Sequence, residues 1–190
     1  VGARDVQLDG RHALGVAQDA RERTRSYLDS GGSGLGTAKL LAAGIDDLVK
    51  ALHAFTVGHV FSAQNPTDSE HIAVVAVGGY GRGTLAPGSD VDLLFLLPFK
   101  QTAWGECVVE FMLHLLWDLG LKVGHATRSI DECVRLAKGD HTIRTALLET
   151  RFLCGQASLF DEMKAKFGRE VLASSGRTFV EAKLDERARR

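Results

Sequence analysis

Two short apolar runs, the β-branched Ile72 to Val77 and then Val91 to Leu97, bracket a glycine-rich stretch. No other feature constrains the fold of this chain as strongly. Each run is too short for a helix and lacks polar alternation, so each predicts a strand buried on both faces. Between them lie Gly78-Gly79-Tyr80-Gly81-Arg82-Gly83 and then Ser89-Asp90-Val91-Asp92, which opens the second strand. A turn nearly stripped of side chains therefore leads to two carboxylates one residue apart.

Side chains alternate across a strand, so Asp90 and Asp92 are expected to project from the same face. Two carboxylates so placed repel unless a cation, a proton or water intervenes. Mg²⁺ suits them, because it takes one or two carboxylates and completes its shell with water and substrate phosphates. Taken alone, such a pair is more often a solvated turn. The glycines strengthen the metal reading: Gly78 and Gly79 end a buried strand, where bare backbone N–H groups can receive phosphate oxygens. Arg82 can set a planar cation against the same phosphates. Two familiar phosphate loops are excluded. A Walker loop needs Lys-Ser/Thr after Gly83, where Thr84-Leu85 stands, and a dinucleotide fingerprint starting at Gly79 needs Gly or Ala where Thr84 stands.

The remaining periodicity is mostly helical. Residues 11–29 predict a charged helix with a thin apolar stripe (Ala13, Ala17, Ala20, Tyr27, Leu28), broken by a flexible loop over Gly31 to Gly36. A second helix is expected from Thr37 to Phe61, with Leu41, Ile45, Leu48, Leu52 and Phe55 on one face, ended by Asn65-Pro66-Thr67-Asp68. Thr102 to Leu119 predicts a buried helix with one polar stripe, Glu106, Glu110, His114 and Asp118. Leu121 to Thr127 predicts a third strand, and Ser129 with Glu132 a capping box. Further helices are expected over about 140–150, 157–172 and 177–190, with Asp140-His141 as a helix start.

Net charge is −1, from 23 basic and 24 acidic residues, which argues against a nucleic-acid duplex as partner. No apolar run approaches a membrane span, and the N-terminus has no apolar signal core. Cys107, Cys133 and Cys154 are odd in number and widely spaced, so reduced thiols in a cytoplasmic protein are expected. The chain opens on Val1 and stops at Arg190 within a charged helical pattern, so it is expected to be a piece of something longer.

An apolar strand, Gly78-Gly79, ten residues and Asp90-Val91-Asp92 opening a second strand together resemble the signature of the DNA polymerase β-type nucleotidyltransferase superfamily. The fuller string from Gly78 to Gly83, with Ser89 to Leu94, is similar to the bifunctional uridylyltransferase/uridylyl-removing enzymes that modify the nitrogen-signalling protein PII. Leu115-Leu116-Trp117-Asp118, Val123-Gly124-His125, Arg128, Glu132-Cys133 and Leu148-Glu149-Thr150-Arg151 continue that resemblance, which is convincing over about residues 72–155. It implies transfer of UMP from UTP to a tyrosine of trimeric PII with release of pyrophosphate. By position, Asp90 and Asp92 would hold Mg²⁺ and catalyse, while Gly78, Gly79 and Ser89 line the triphosphate. The superfamily often carries a third acid on a later strand. Here the strand 121–127 offers only Lys122 and His125, Asp118 is expected to face solvent or end its helix, and Glu149 stays a candidate. The family's uridylyl-removing domain needs a His-Asp pair that none of the seven histidines supplies in that order, so the removing activity and the glutamine-sensing domains are expected to be absent.

The expected fold is α/β (α+β), a small mixed sheet with helices on one side and a helical C-terminal extension. The expected division is an N-terminal helical segment over 1–65, a nucleotidyltransferase core over 66–130 and the extension over 131–190. An adenylyltransferase using ATP on a PII-type protein, and a regulatory module that binds nucleotide without turnover, remain alternatives.

Overall fold

The computed structural model describes residues 3–62, 67–99 and 102–173, with 180, 181, 184, 187 and 188. Four strands form one sheet in the order β3-β2-β1-β4. β1 (Ala73–Ala76) and β2 (Val91–Leu97) are the two apolar runs at its centre, antiparallel to each other. β3 (Val123–Ser129) lies parallel to β2, and α4 (Ala103–Asp118) makes the crossover between them. β4 (Arg151–Gly155) closes the other edge, antiparallel to β1 with a register shift between Val74 and Val75.

Apart from Asp92 near the start of β2, both central strands are apolar on both faces, and each face is covered. Val74, Ala76, Leu93 and Phe95 pack under α2 (Gly34–Phe55) and α4, with Ala17 of α1 (Ala3–Asp29) completing that side. Ala73, Val75, Leu94 and Leu96 pack under α5 (Ile130–Gly139), α6 (His141–Leu148) and α7 (Ala157–Phe167). The expectation of helices on one side is thus corrected to helices on both. A strand with no polar face requires it, since neither side can be left to water.

The helices follow their sequence signals with shifted ends. α2 starts inside the expected glycine loop, because the Ser33 hydroxyl accepts from the Gly36 N–H at 3.1 Å and caps it. It continues into a π-helical turn over Thr56–Val60. Ile45, Leu48, Leu52 and Phe55 are buried as expected. In α1 the buried line is Ala17, Ala20 and Thr24, while Tyr27 and Leu28 of the expected stripe are exposed. The polar stripe of α4 faces solvent throughout, and Asp118 sits in its last turn.

Ser129 and Glu132 form the expected capping box, each side chain meeting the other's backbone, an arrangement worth about 1 kcal/mol. Asp140 caps α6 through the N–H groups of Thr142 and Ile143, which holds its carboxyl below the ordinary carboxylate range. The expected helix over 157–172 is α7 followed by a π-helical turn over Gly168–Leu172. Most of the expected helix over 177–190, with Asn65 and Pro66, lies outside the described residues.

Candidate active site

The chain leaves β1 at Val77 and turns at once into α3 (Gly78–Gly81), a single helical turn where the sequence predicts only a loop. Gly78 makes that junction at φ +59°, a left-handed conformation that costs glycine little. The first N–H groups of a helix have no partner within it, so those of Gly78 and Gly79 point out of the turn. A Cβ on Gly78 would lie 3.5 Å from Asp92 Oδ2, so the bare turn and the acid are neighbours. The Val77 N–H donates to the Asp92 carbonyl at 3.1 Å and fixes that proximity.

Asp92 is the second residue of β2 and the one polar position in an otherwise buried strand. Its carboxylate shares the face carrying Leu94 and Leu96. Across the parallel ladder, Asp92 pairs with Gly124 of β3. A Cβ at position 124 would lie 2.4 Å from Asp92 Oδ1, so only glycine leaves the carboxylate its room. Partial burial, and then the charge of Asp90, hold the Asp92 carboxyl above its ordinary value. Asp90 lies exposed just before the strand. A half-buried acid, a second acid close enough to raise its pKa and a cradle kept open by Gly124 fit a divalent cation whose other ligands are phosphate oxygens and water. Among the described residues no cluster of three His, Cys, Asp or Glu is found, so the pair has no third protein acid beside it.

The other expected residues separate. Gly79 lies by Arg82, whose Nη2 would be 3.6 Å from a Cβ there. Arg82 is exposed and pairs with Glu149 at 2.5 Å, so Glu149 is committed to a cation outside the acid pair. Ser89 turns its hydroxyl onto the Ala86 carbonyl at 2.8 Å and borders a different cleft, beside Ile45 and Lys122. His125 is exposed on β3, with Trp117 stacked edge-on at 6.3 Å.

Beneath the turn lies a network with no local sequence signal. The Tyr80 hydroxyl is buried and donates to Asp46 Oδ1 of α2 at 2.6 Å. Arg151 of β4 forks onto both Asp46 oxygens, donates to the Tyr80 carbonyl at 3.2 Å and lies over the Tyr80 ring. Burial first, and then Asp46, push the Tyr80 hydroxyl far above its ordinary value, so it stays protonated. α2 and β4, both distant in sequence, thereby clamp the turn that carries Gly78 and Gly79.

The family model described as "Nucleotidyltransferase domain" matches residues 62–153, which hold the turn, both acids and all four strands but the last two residues of β4. Residues 62–153 are a nucleotidyltransferase domain. Similarity to curated proteins extends on both sides of these limits. A bifunctional uridylyltransferase/uridylyl-removing enzyme of Phenylobacterium zucineum (strain HLK1) is 51% identical over 192 residues, 99% of this chain and 20% of that protein. Proteins of the same name are 55% identical in Caulobacter vibrioides (strain NA1000 / CB15N), over 88% of this chain and 17% of that protein, and 52% identical in Azospirillum brasilense, over 93% and 19%. The chain spans about a fifth of the length of these relatives. Among the described residues, no helix is long and apolar enough to cross a membrane.

Proposed function

We propose that this chain transfers UMP from Mg²⁺-bound UTP to a tyrosine hydroxyl of the trimeric PII protein and releases pyrophosphate. The observation that carries the proposal is the Asp92 carboxylate, held in the Gly124 cradle beside the Gly78 turn, with Asp90 next to it. In this reading Asp90 and Asp92 hold the metal, and the N–H groups of Gly78 and Gly79 take phosphate oxygens. Arg82 reaches the same phosphates by exchanging Glu149 for them. When bound, Mg²⁺ lowers the cost of deprotonating the tyrosine and balances charge growing on the leaving group.

The chain's own residues supply position. β2 fixes Asp92, the Tyr80–Asp46–Arg151 network fixes the turn, and the triphosphate is held between them with its α-phosphorus open to attack. The tyrosine oxygen bonds to that phosphorus, the bond from it to the oxygen shared with the β-phosphate breaks so that pyrophosphate leaves, and the phenolic proton passes to solvent. The names of the relatives support uridylyl as the group transferred. The proposal assigns the adding half of their two activities to this chain. Three free cysteines support a cytoplasmic setting.

The test is to incubate the chain with PII, Mg²⁺ and either UTP or ATP, and to weigh PII by mass spectrometry. A gain of one UMP per subunit is expected, and Asp92→Asn should abolish it with the thermal transition retained. A gain of one AMP instead would make the chain an adenylyltransferase. Bound nucleotide with no gain would make it a binding module.

A further inference from the structure

From Asp92 a cleft of about 380 Å³ runs along the sheet face beneath α6. Gly78 and Asp92 stand at one end, Leu94 and Ala126 form the floor, and Ile143 and Ala146 form the wall. Arg128 borders the same cleft, and β3 places it away from the acids. Arg128 pairs in register with Leu96, four residues along β2 from the Asp92–Gly124 pair, so the two positions are ~13 Å apart along the strands.

We propose that this cleft holds the nucleoside of the triphosphate and that Arg128 determines which base it accepts. The inference rests on the proposed nucleotidyl transfer. If the α-phosphorus lies at Asp92, the sugar it carries must leave by a path continuous with that residue, and this cleft provides one. Its size suits a small ligand rather than a protein segment. Floor and wall are apolar, which matches the flat faces of a base and not a triphosphate.

The polar end sets the choice. Arg128 is half-buried, forms no salt bridge among the described residues, and also borders the neighbouring cleft at Glu132. A guanidinium only donates hydrogen bonds. A pyrimidine with two ring carbonyls offers it acceptors on either side of the ring, whereas adenine offers ring nitrogens flanked by an amino donor that opposes the guanidinium. Arg128 therefore selects a carbonyl-edged base, which makes it a specificity-determining residue away from the reacting atoms.

Calorimetric titration of the 190-residue chain in Mg²⁺ with UTP, ATP and inorganic tripolyphosphate tests this. The wild type should bind UTP more tightly than either other ligand. Ala146→Trp, which fills the cleft, should weaken UTP at least tenfold and leave tripolyphosphate unchanged. Thr142→Trp at the exposed rim should act in the same direction if the first variant folds poorly. Arg128→Met should cut the preference for UTP over ATP about tenfold, again with tripolyphosphate unchanged.

The inference is overturned if both cleft-filling variants bind UTP like the wild type. It is equally overturned if Arg128→Met weakens tripolyphosphate as much as UTP, which would put the guanidinium on phosphate, or if the wild type does not prefer UTP. A wild type that binds neither UTP nor tripolyphosphate would instead defeat the proposed function, and this inference with it.

Discussion

The Tyr80 hydroxyl donates to Asp46 Oδ1 at 2.6 Å, joining the glycine turn to a helix 34 residues earlier in the chain. Arg151 binds the same carboxylate from β4, so one acid restrains both the turn and the edge strand. Removing the hydroxyl leaves Asp46 paired, and removing Asp46 leaves two buried or half-buried partners without it. Tyr80→Phe should therefore cost about 1–2 kcal/mol in urea unfolding, and Asp46→Ala about 3 kcal/mol. If transfer depends on a clamped turn, Asp46→Ala should also lose most of its activity at temperatures where it remains folded. Equal stability of the two variants would remove Asp46 from the centre of the network.

Gly124 offers a sharper test of the acid site, because its role is purely one of space. Gly124→Ala puts a methyl group 2.4 Å from where Asp92 Oδ1 now lies, and the carboxylate must move. Reactions that depend on placement lose about 10²-fold for a displacement of ~1 Å. The expected result is a loss of that order in transfer with the circular dichroism spectrum unchanged. Full activity in Gly124→Ala would show that Asp92 need not occupy its present position.

The difference between what was legible and what was not follows from the range of the interactions. β1, β2 and the Asp90–Asp92 pair are written in consecutive residues, as are the caps at Ser129 and Asp140, and local physics decides all of them. β4 is five residues long, carries Arg151 and Cys154 and buries only Leu153 fully, so it has neither the alternation nor the apolar run that marks a strand. It becomes a strand because β1 offers it an edge. Asp46 reads as one more acid on an amphipathic helix, and Gly124 as an ordinary strand glycine, until the β2–β3 register sets it opposite Asp92. The candidate acids were visible in the sequence; what holds them in place was not.

A pH effect on stability is expected from His53 in α2. It is buried, its Nε2 has no hydrogen-bond partner among the described residues, and burial lowers its pKa. The folded protein thus keeps it neutral where the unfolded chain protonates it. Its stabilising contribution is complete above the unfolded value of about 6.5 and is lost as pH falls from there toward the lowered folded value. Urea midpoints measured from pH 7.5 to 5 should decline, and His53→Leu should flatten that decline. An unchanged slope in the variant would assign the acid sensitivity to other groups.

The three thiols should separate by reactivity, since the thiolate is the attacking form and must also be reached by the reagent. Cys107 is exposed on α4. Cys133 is buried under the sheet, and burial pushes its thiol up to about 11. Burial likewise pushes Cys154 on β4 up to about 12. At pH 8 in the native state, iodoacetamide should modify Cys107 first, with Cys133 and Cys154 labelled only as the sheet opens. Peptide mass mapping over a time course gives the order, and in denaturing urea the three rates should converge. Because Cys154 lies in β4 beside Arg151, its native labelling rate also reports on the clamp: Asp46→Ala should expose it sooner than Cys133. Simultaneous protection of both thiols in that variant would mean that the edge strand stays paired without Asp46.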